Sequence, residues 1–166
     1  MEYKHNFAPA LDIVDRQLLD ALQRDCSITN IELATKVHVS PPTCLRRVKR
    51  LQDGGLIERQ IAVLSPDKLA PLLGHGLLAI AEITLDRQAA DALDAFETRI
   101  ARDAAVQQCY RTSPGPDFIL QLYARDMADY LALSQRLFTQ DANVRNVKTF
   151  FVVKRAKFES FLPLAK

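Results

Sequence analysis

Two helix-start signals that stand close together restrict the fold of this chain more than any other feature. Thr29 precedes Glu32 at the spacing of a capping box, the side-chain exchange that opens a helix. Ser40 precedes Pro41, and proline suits the first position of a helix because its missing N–H has no intrahelical partner there. Only about three residues separate the two predicted helices, as in a helix-turn-helix unit. The sequence therefore predicts a small helical domain that presents its last helix on a tight turn.

Further signals complete this first domain. Asp12 is a favourable N-cap, and residues 13–24 carry apolar side chains at helical spacing, so a first helix is predicted there. The helix that begins at Pro41 is predicted to end at the glycine pair starting with Gly54, because glycine readily adopts the backbone conformation that closes a helix. Residues 56–64 are predicted to form a strand. We therefore expect a three-helix helix-turn-helix domain that is followed by a strand.

The second half of the chain alternates strand-like and helix-like segments. Strands are predicted where apolar and polar residues alternate, and helices where apolar residues recur at every third or fourth position. The resulting order, βαββαβ, is that of the ferredoxin-like unit, in which both helices lie on one face of a four-stranded sheet. The predicted segments are strands 76–85, 106–112, 117–124 and 144–154 and helices 87–102 and 127–138.

The other face of this sheet is predicted to stay open and yet to be largely apolar. Its residues alternate along the strands with those that pack under the helices. An open face of this kind usually meets a second subunit, so we expect a homodimer or a higher homo-oligomer. The residues on the open face are Leu78, Ile80, Ile119, Tyr123, Phe150 and Val152.

The chain as a whole is thus predicted to be an α+β protein of two domains. A stretch with prolines and a glycine marks the boundary between them. The predicted parts, in chain order, are an N-terminal tail (1–10), the helix-turn-helix domain (11–65), a linker (66–75), the ferredoxin-like domain (76–155) and a C-terminal tail (156–166).

Composition excludes several classes of protein. No apolar run approaches the ~20 residues that cross a bilayer, and the N-terminus lacks the layout of a secretory signal, so a cytoplasmic protein is expected. Three cysteines at unrelated spacings predict neither a disulfide framework nor a zinc site, and no other metal or cofactor is expected. No nucleophile and base stand at a recognisable spacing, so we do not expect an enzyme. A net charge of +2 is too small to indicate a nucleic-acid partner, which has to be sought in local placement.

The helix that begins at Pro41 concentrates basic side chains on one side. At about 100° per residue, Cys44, Leu45 and Val48 share the side predicted to face the core. On the other side, arginine can bind guanine in a bidentate manner and lysine can neutralise phosphates, while Ser40 is expected both to cap the helix and to donate to a phosphate. A solvated helix face is the alternative interpretation, but the position after a tight turn favours DNA contact. The candidate DNA-binding residues are Ser40, Pro42, Thr43, Arg46, Arg47, Lys49 and Arg50.

A turn rich in proline and glycine, between the predicted strands 106–112 and 117–124, is open to two interpretations. It is either a simple hairpin turn or a site for a small zwitterion at the edge of the sheet. In the second case, backbone amides would face the carboxylate of the ligand and Asp117 its ammonium group. The candidate effector-binding residues are Thr112, Ser113, Gly115 and Asp117.

Taken together, these motifs resemble the Lrp/AsnC family of transcriptional regulators, the leucine-responsive or feast/famine proteins. The resemblance rests on Leu11-Asp12-x-x-Asp15, Ile28-Thr29-Asn30-x-Glu32-Leu33-Ala34, Val39-Ser40-Pro41-Pro42-Thr43-Cys44-Leu45-Arg46-Arg47-Val48, Cys109-Tyr110 and Asp117-Phe118. It implies a winged helix-turn-helix domain joined to a ligand-sensing βαββαβ domain, assembled as dimers, tetramers or octamers. It also implies that amino acids or related metabolites bind between subunits near the hairpin turn.

Two positions depart from the family pattern. Pro42 and Thr43 stand in exchanged order at the start of the recognition helix. In the turn, Pro114 replaces a glycine and Gly115 an aspartate, which removes an amide donor and a carboxylate.

The predicted function is that of a sequence-specific DNA-binding transcriptional regulator whose assembly or DNA affinity responds to a small metabolite, with an amino acid as the expected effector. A stand-alone oligomeric sensor of small molecules without DNA binding is the alternative, and a small enzyme on a ferredoxin-like fold is a second one. DNA affinity that falls steeply with salt would separate the regulator from both.

Overall fold

The computed structural model describes residues 11–73 and 76–164. The predicted N-terminal tail (1–10), the end of the predicted linker (74–75) and the last two residues of the predicted C-terminal tail (165–166) lie outside the described residues. The described residues form two compact units. One lies within Met1–Val63 and Lys157–Lys166, and the other is Leu64–Ala156.

The first unit contains the three predicted helices, α1 (Ile13–Arg24), α2 (Asn30–Lys36) and α3 (Pro41–Asp53). The exchange predicted for α2 is present, and α1, for which only the Asp12 cap was predicted, starts with an exchange of the same kind. The Asp15 N–H donates to the Asp12 carboxylate while the Asp12 N–H donates to the Asp15 carboxylate, and Thr29 and Glu32 make the same exchange at α2. These caps satisfy backbone donors that have no partner within the helix, and therefore fix where α1 and α2 begin.

The turn between α2 and α3 is closed by hydrogen bonds. The Val39 N–H donates to the Ala34 carbonyl over 3.0 Å, which leaves His38 in the left-handed region with φ 57°. Gly55, with φ 71°, ends α3 through the same arrangement, the Schellman motif. Because glycine tolerates this backbone conformation and histidine is strained by it, the end of α3 was predictable and the role of His38 was not.

The core of the first unit includes side chains from all three helices, with Leu18, Leu33, Cys44 and Leu51 buried at its centre. Leu164, near the C-terminus, packs against this core. The C-terminal residues were predicted to be a tail, but their described part from Lys157 onward belongs to this unit.

Hydrogen bonds and an aromatic contact hold this C-terminal segment on α1. The Gln23 side-chain amide donates to the Leu162 carbonyl over 3.0 Å and accepts from the Leu162 N–H over 2.9 Å. The Arg24 guanidinium lies over the Phe161 ring, 5.1 Å from its centroid. Gln23 therefore pairs with the segment as a neighbouring strand would, using one donor and one acceptor.

Two predictions about the middle of the chain are wrong. Residues 56–64 form no strand, because no other described segment of this chain pairs with their backbone, and Ile61 and Val63 are exposed. The predicted linker 66–75 contains a helix, α4 (Pro66–Leu73), whose first turn is closed by the Leu69 N–H on the Ser65 carbonyl. Proline at a first helical position is compatible with this helix, and the prediction overlooked that signal here.

The second unit has the predicted βαββαβ order. Its elements are β1 (Leu77–Leu85), α5 (Ala90–Ile100), β2 (Val106–Arg111), β3 (Phe118–Ala124), α6 (Met127–Ser134), which continues into a π-helical turn (Gln135–Thr139), and β4 (Val144–Phe151). The sheet order is β2-β3-β1-β4, and every neighbouring pair is antiparallel. The ferredoxin-like prediction is confirmed.

The two faces of this sheet differ as the alternation predicted. Phe118, Leu120 and Leu122 are fully buried under the helices, and Phe96 of α5 packs on Phe118 with ring centroids 4.8 Å apart. On the open face, Ile80, Tyr123 and Phe150 are exposed, and the other three predicted residues are half-buried. None of the described helices is long and apolar enough to cross a membrane.

Candidate nucleic-acid interface and effector turn

Helix α3 turns one polar face to solvent. Cys44 and Leu51 are buried and Val48 is half-buried, so these residues attach the helix to the core. Opposite them lie Pro42, Arg46 and Lys49, which are exposed and which we call the outward face of α3. Among the described residues, neither Arg46 nor Lys49 has an ion-pair or hydrogen-bond partner, so both cations are available to a ligand.

The helix is rotated relative to the prediction. Leu45 was expected to face the core, yet 60% of its surface is exposed, and Thr43 is half-buried although it was placed on the open side. Arg47, which was expected at the edge of the open side, turns toward α1 and lies on the buried side together with Cys44 and Leu51. The open side is therefore centred on Arg46 and Lys49.

Arg47 and Arg50 make ion pairs with two carboxylates of α1. The Arg47 Nη1 atom lies 2.5 Å from Asp12 Oδ2 and 2.9 Å from Asp15 Oδ1, and the Arg50 Nη2 atom lies 2.5 Å from Asp15 Oδ2. The Asp15 side chain is only 1% exposed. Two of the predicted DNA contacts thus hold α3 against α1 in the free protein.

The sequence contained a signal for this cluster that the prediction missed. Asp15 precedes the buried Leu18 and Leu19 by one helical turn and so lies on the buried side of α1. A buried carboxylate requires a cation or several hydrogen-bond donors. Arg47 and Arg50 of α3 supply the cations.

The contacts between Asp12 and Arg47 favour the charged form of both groups. The hydrogen bond from the Asp15 N–H, followed by that from Arg47, holds the pKa of Asp12 below its usual range. Hydrogen bonds to Asp12 and then to Asp15 raise the pKa of Arg47. The Nε atom of Arg47 is buried and has no partner among the described residues, so this guanidinium uses only part of its donor capacity.

We expect the helix-turn-helix unit to lose stability in acid. Hydrogen bonds, with nearby cations for three of the four, hold the pKa values of Asp12, Asp20, Asp25 and Glu32 below their usual range. Such a group stabilises the fold above its unfolded pKa, and the contribution is lost as pH falls through the folded pKa. The melting temperature, measured by circular dichroism, should fall once the pH drops below about 4. A melting temperature that stays constant down to about pH 3 would contradict this linkage.

Ser40 occupies the N-cap position of α3 but does not cap the helix with its side chain. Its hydroxyl instead donates to Thr43 Oγ1 over 2.9 Å. One of the two usual targets of a capping oxygen is missing because Pro42 has no N–H. The start of α3 is fixed from α2, where the Asn30 side-chain amide donates to the Pro41 carbonyl over 3.0 Å. The predicted capping role of Ser40 is therefore wrong.

The turn between β2 and β3 is closed by its own residues. The Thr112 N–H donates to the Asp117 carbonyl over 3.0 Å, and the Thr112 hydroxyl donates to the Pro116 carbonyl. The Asp117 carboxylate accepts from the Leu85 N–H over 2.7 Å and from the Gln88 side chain over 3.2 Å. One oxygen of the carboxylate that was predicted to face a ligand ammonium group, Oδ2, thus already holds the turn to residues at the end of β1 and just after it.

The remaining two candidates in this turn are on its surface. Ser113 and Gly115 are exposed, and Gly115 has φ 126° with open space around it. An aspartate at this position would be strained because L side chains rarely adopt such a φ. The exchange of the family's aspartate for glycine is thus matched by the backbone conformation of the turn.

Both halves of the chain match known families of protein domains. Residues 11–58 match the family model of a winged helix-turn-helix DNA-binding domain, and residues 78–161 match that of the Lrp/AsnC ligand binding domain. The leucine-responsive regulatory protein of Haemophilus influenzae is 38% identical over 164 residues, which cover 99% of this chain and 95% of that protein.

Solved structures of similar proteins share the whole fold. A transcriptional regulator of Neisseria meningitidis in complex with L-Met has a TM-score of 0.80 and 32% identity, covering 93% of this chain and 97% of that one. An AsnC family transcriptional regulator of Agrobacterium tumefaciens has a TM-score of 0.79 and 28% identity, covering 92% of this chain and 97% of that one.

Proposed function

Because this chain belongs to the Lrp/AsnC family, and is therefore a DNA-binding transcriptional regulator with a ligand-binding domain, we propose that the outward face of α3 enters the major groove of DNA. The observation that carries the proposal is the exposure of Arg46 and Lys49, without partners among the described residues, on the helix that follows the tight turn. Membership in a family of transcriptional regulators also implies that the chain is not an enzyme.

The roles of the two cations follow from their chemistry. Arg46 lies nearer the start of α3, where a recognition helix approaches base edges, and its planar guanidinium matches the O6 and N7 acceptors of guanine. Lys49 lies one turn further on and suits a phosphate, which carries no sequence information. Arg47 and Arg50 then support the orientation of α3. They can contact DNA only with the N–H groups that are not bound to Asp12 and Asp15.

A second copy of the chain is expected on the open face of the sheet. Ile80, Tyr123 and Phe150 form an exposed apolar surface there, which would be costly to leave in water. The two recognition helices of such a dimer would read half-sites about one helical turn apart, ~10 bp or a multiple of it. Tetramers or octamers would extend the same arrangement along DNA, in the cytoplasm.

The effector is proposed to be an amino acid or a related metabolite. Support comes from the solved relative in complex with L-Met and from the exposed turn at Ser113 and Gly115. Since Asp117 Oδ2 already accepts two hydrogen bonds within the chain, Oδ1 is the oxygen of this carboxylate that is left for the ammonium group of the ligand, together with groups of a second subunit. Ligand binding that favours one assembly over another would change the spacing of the recognition helices.

Three measurements test this function. Affinity for duplex DNA should fall linearly, on logarithmic axes, between about 50 and 200 mM salt, and DNA bound in cells should cluster at a small number of sequences. Melting temperature should rise for the effector among the amino acids, because a bound ligand raises the free energy of unfolding with the logarithm of its excess over its dissociation constant. A chain that responds to amino acids but has no salt-dependent affinity for DNA would be the stand-alone sensor instead.

A further inference from the structure

We propose that Asp12 sets the DNA specificity of this regulator, because its carboxylate competes with DNA phosphates for Arg47. The inference rests on the proposed binding of DNA by α3. It assigns to a residue of α1, outside the recognition helix, an effect on how well the protein distinguishes its own site from other DNA.

The competition follows from the positions of the side chains. Arg47 is 25% exposed and shares its Nη1 atom between Asp12, 2.5 Å away, and Asp15, 2.9 Å away. Asp12 is 50% exposed, so this side of the pair is open to solvent and to an approaching phosphate. Asp15 is buried and also bonded to Arg50, so its position is fixed by the fold.

The charge of Asp12 decides whether this cluster is neutral or positive. Two carboxylates, Asp12 and Asp15, face two guanidinium groups, Arg47 and Arg50, so the cluster is neutral as it stands. Without the charge of Asp12, one carboxylate would have to serve two arginines. One unit of positive charge would then be free on the two arginines, at the solvent-exposed edge of the contact between α1 and α3.

Free positive charge at this place would raise the affinity for non-specific DNA more than the affinity for the specific site. Contacts to phosphates are equally available on every sequence, whereas Arg46 is proposed to read a base. An added phosphate contact would therefore raise affinity for all duplexes, and it would do so most visibly for non-specific DNA, whose binding depends on phosphates almost entirely. Asp12 keeps that contribution small and so preserves the ratio of specific to non-specific affinity.

The substitution Asp12→Asn isolates the charge from the fold. Asparagine is as good an N-cap as aspartate, and its carbonyl oxygen can accept the Asp15 N–H that Asp12 accepts over 2.8 Å. Asp20→Asn is the matched control, since it changes net charge equally on the same helix but removes a carboxylate that pairs with Arg24 instead of α3.

The experiment measures affinity of the full-length chain against salt for two probes, a mixed-sequence duplex pool and a duplex selected from it by this protein. For Asp12→Asn we expect the slope of log affinity against log salt to steepen by up to ~0.9 on the mixed pool, the value for one added phosphate contact. Affinity for the pool should rise several-fold, and the ratio of specific to non-specific affinity should fall. Asp20→Asn should leave slope and ratio close to those of the unchanged chain.

A double substitution ties the effect to Arg47. In the background Arg47→Gln, Asp12→Asn should no longer steepen the slope, because the cation that it releases is gone. If Asp12→Asn unfolds the chain, Asp12→Ser serves in its place, since serine also caps helices and carries no charge.

A slope unchanged by Asp12→Asn, or changed equally by Asp20→Asn, would overturn the proposal. If the unchanged chain itself showed no salt-dependent DNA affinity, the proposed function would fail first, and the two failures are thereby distinguished.

Discussion

Replacing Arg46 with alanine is expected to weaken binding to the specific DNA site by about 1–3 kcal/mol, which is roughly a 5- to 150-fold loss of affinity. The physical reason is that a bidentate arginine–guanine contact discriminates against other bases. The other exposed cation of the outward face, Lys49, lies one helical turn further along α3 and cannot take the place of Arg46. The loss should be confined to the specific site, so that affinity for a mixed-sequence duplex changes far less. Titration of both duplexes at one salt concentration measures the two effects.

Lys49→Ala is the natural comparison for this variant. It removes the other exposed cation of the outward face, and it should weaken binding to all duplexes alike and reduce the salt slope by about 1. If Arg46→Ala and Lys49→Ala weakened both duplexes equally, Arg46 would be a phosphate contact and the base-reading role would be wrong. If neither changed affinity, α3 would not be the recognition helix.

Replacing Asp15 with alanine is expected to lower the free energy of unfolding by about 3 kcal/mol or more. The substitution removes the buried carboxylate that faces Arg47 and Arg50, and it also removes the acceptor for the Asp12 N–H. We expect a loss near the lower end of the range for broken buried pairs, because the Arg50 side chain is 45% exposed and can move into water.

Urea denaturation followed by circular dichroism measures this loss, with Asp20→Ala as control. Asp20 pairs with Arg24 on the surface of α1, and exposed pairs of this kind stabilise a protein by less than about 0.5 kcal/mol. A second comparison replaces Asp15 by leucine and both arginines by methionine, which leaves no unpaired charge and should restore much of the stability. A loss below about 1 kcal/mol for Asp15→Ala would show that the cluster contributes little to the fold.

Elements with local signals were predictable from the sequence. The starts of α1 and α2 depend on side chains three residues apart, and the four strands depend on alternation within a few positions. The segment 56–64 shows the limit of such signals, because a strand exists only where another strand pairs with its backbone, and the segment alone does not reveal whether one is present.

The parts of the candidate site that were missed depend on partners far away in the chain. Arg47 and Arg50 meet carboxylates 32 to 35 positions earlier, and their side chains were assigned to DNA because the helix was considered alone. Asp117 likewise bonds to Leu85, 32 positions earlier, although it looks available in an isolated turn. Periodicity places a polar residue on a face of an element, but it does not tell which opposite charge the fold brings to that face.

The return of the C-terminal segment to α1 makes the ligand-binding unit an insertion within the DNA-binding one. A fragment that stops at Val63 would lack the groups that pair with Gln23 and Arg24, and would expose the apolar surface that Leu164 covers. Conversely, a protease that cuts the chain just after Val63 would not separate the two fragments at once. Residues 157–164, which belong to the C-terminal fragment, would still be held on α1 of the N-terminal fragment by non-covalent contacts. An isolated DNA-binding fragment that is to keep its native core therefore has to carry these residues with it, either as an added peptide or spliced in ahead of α1.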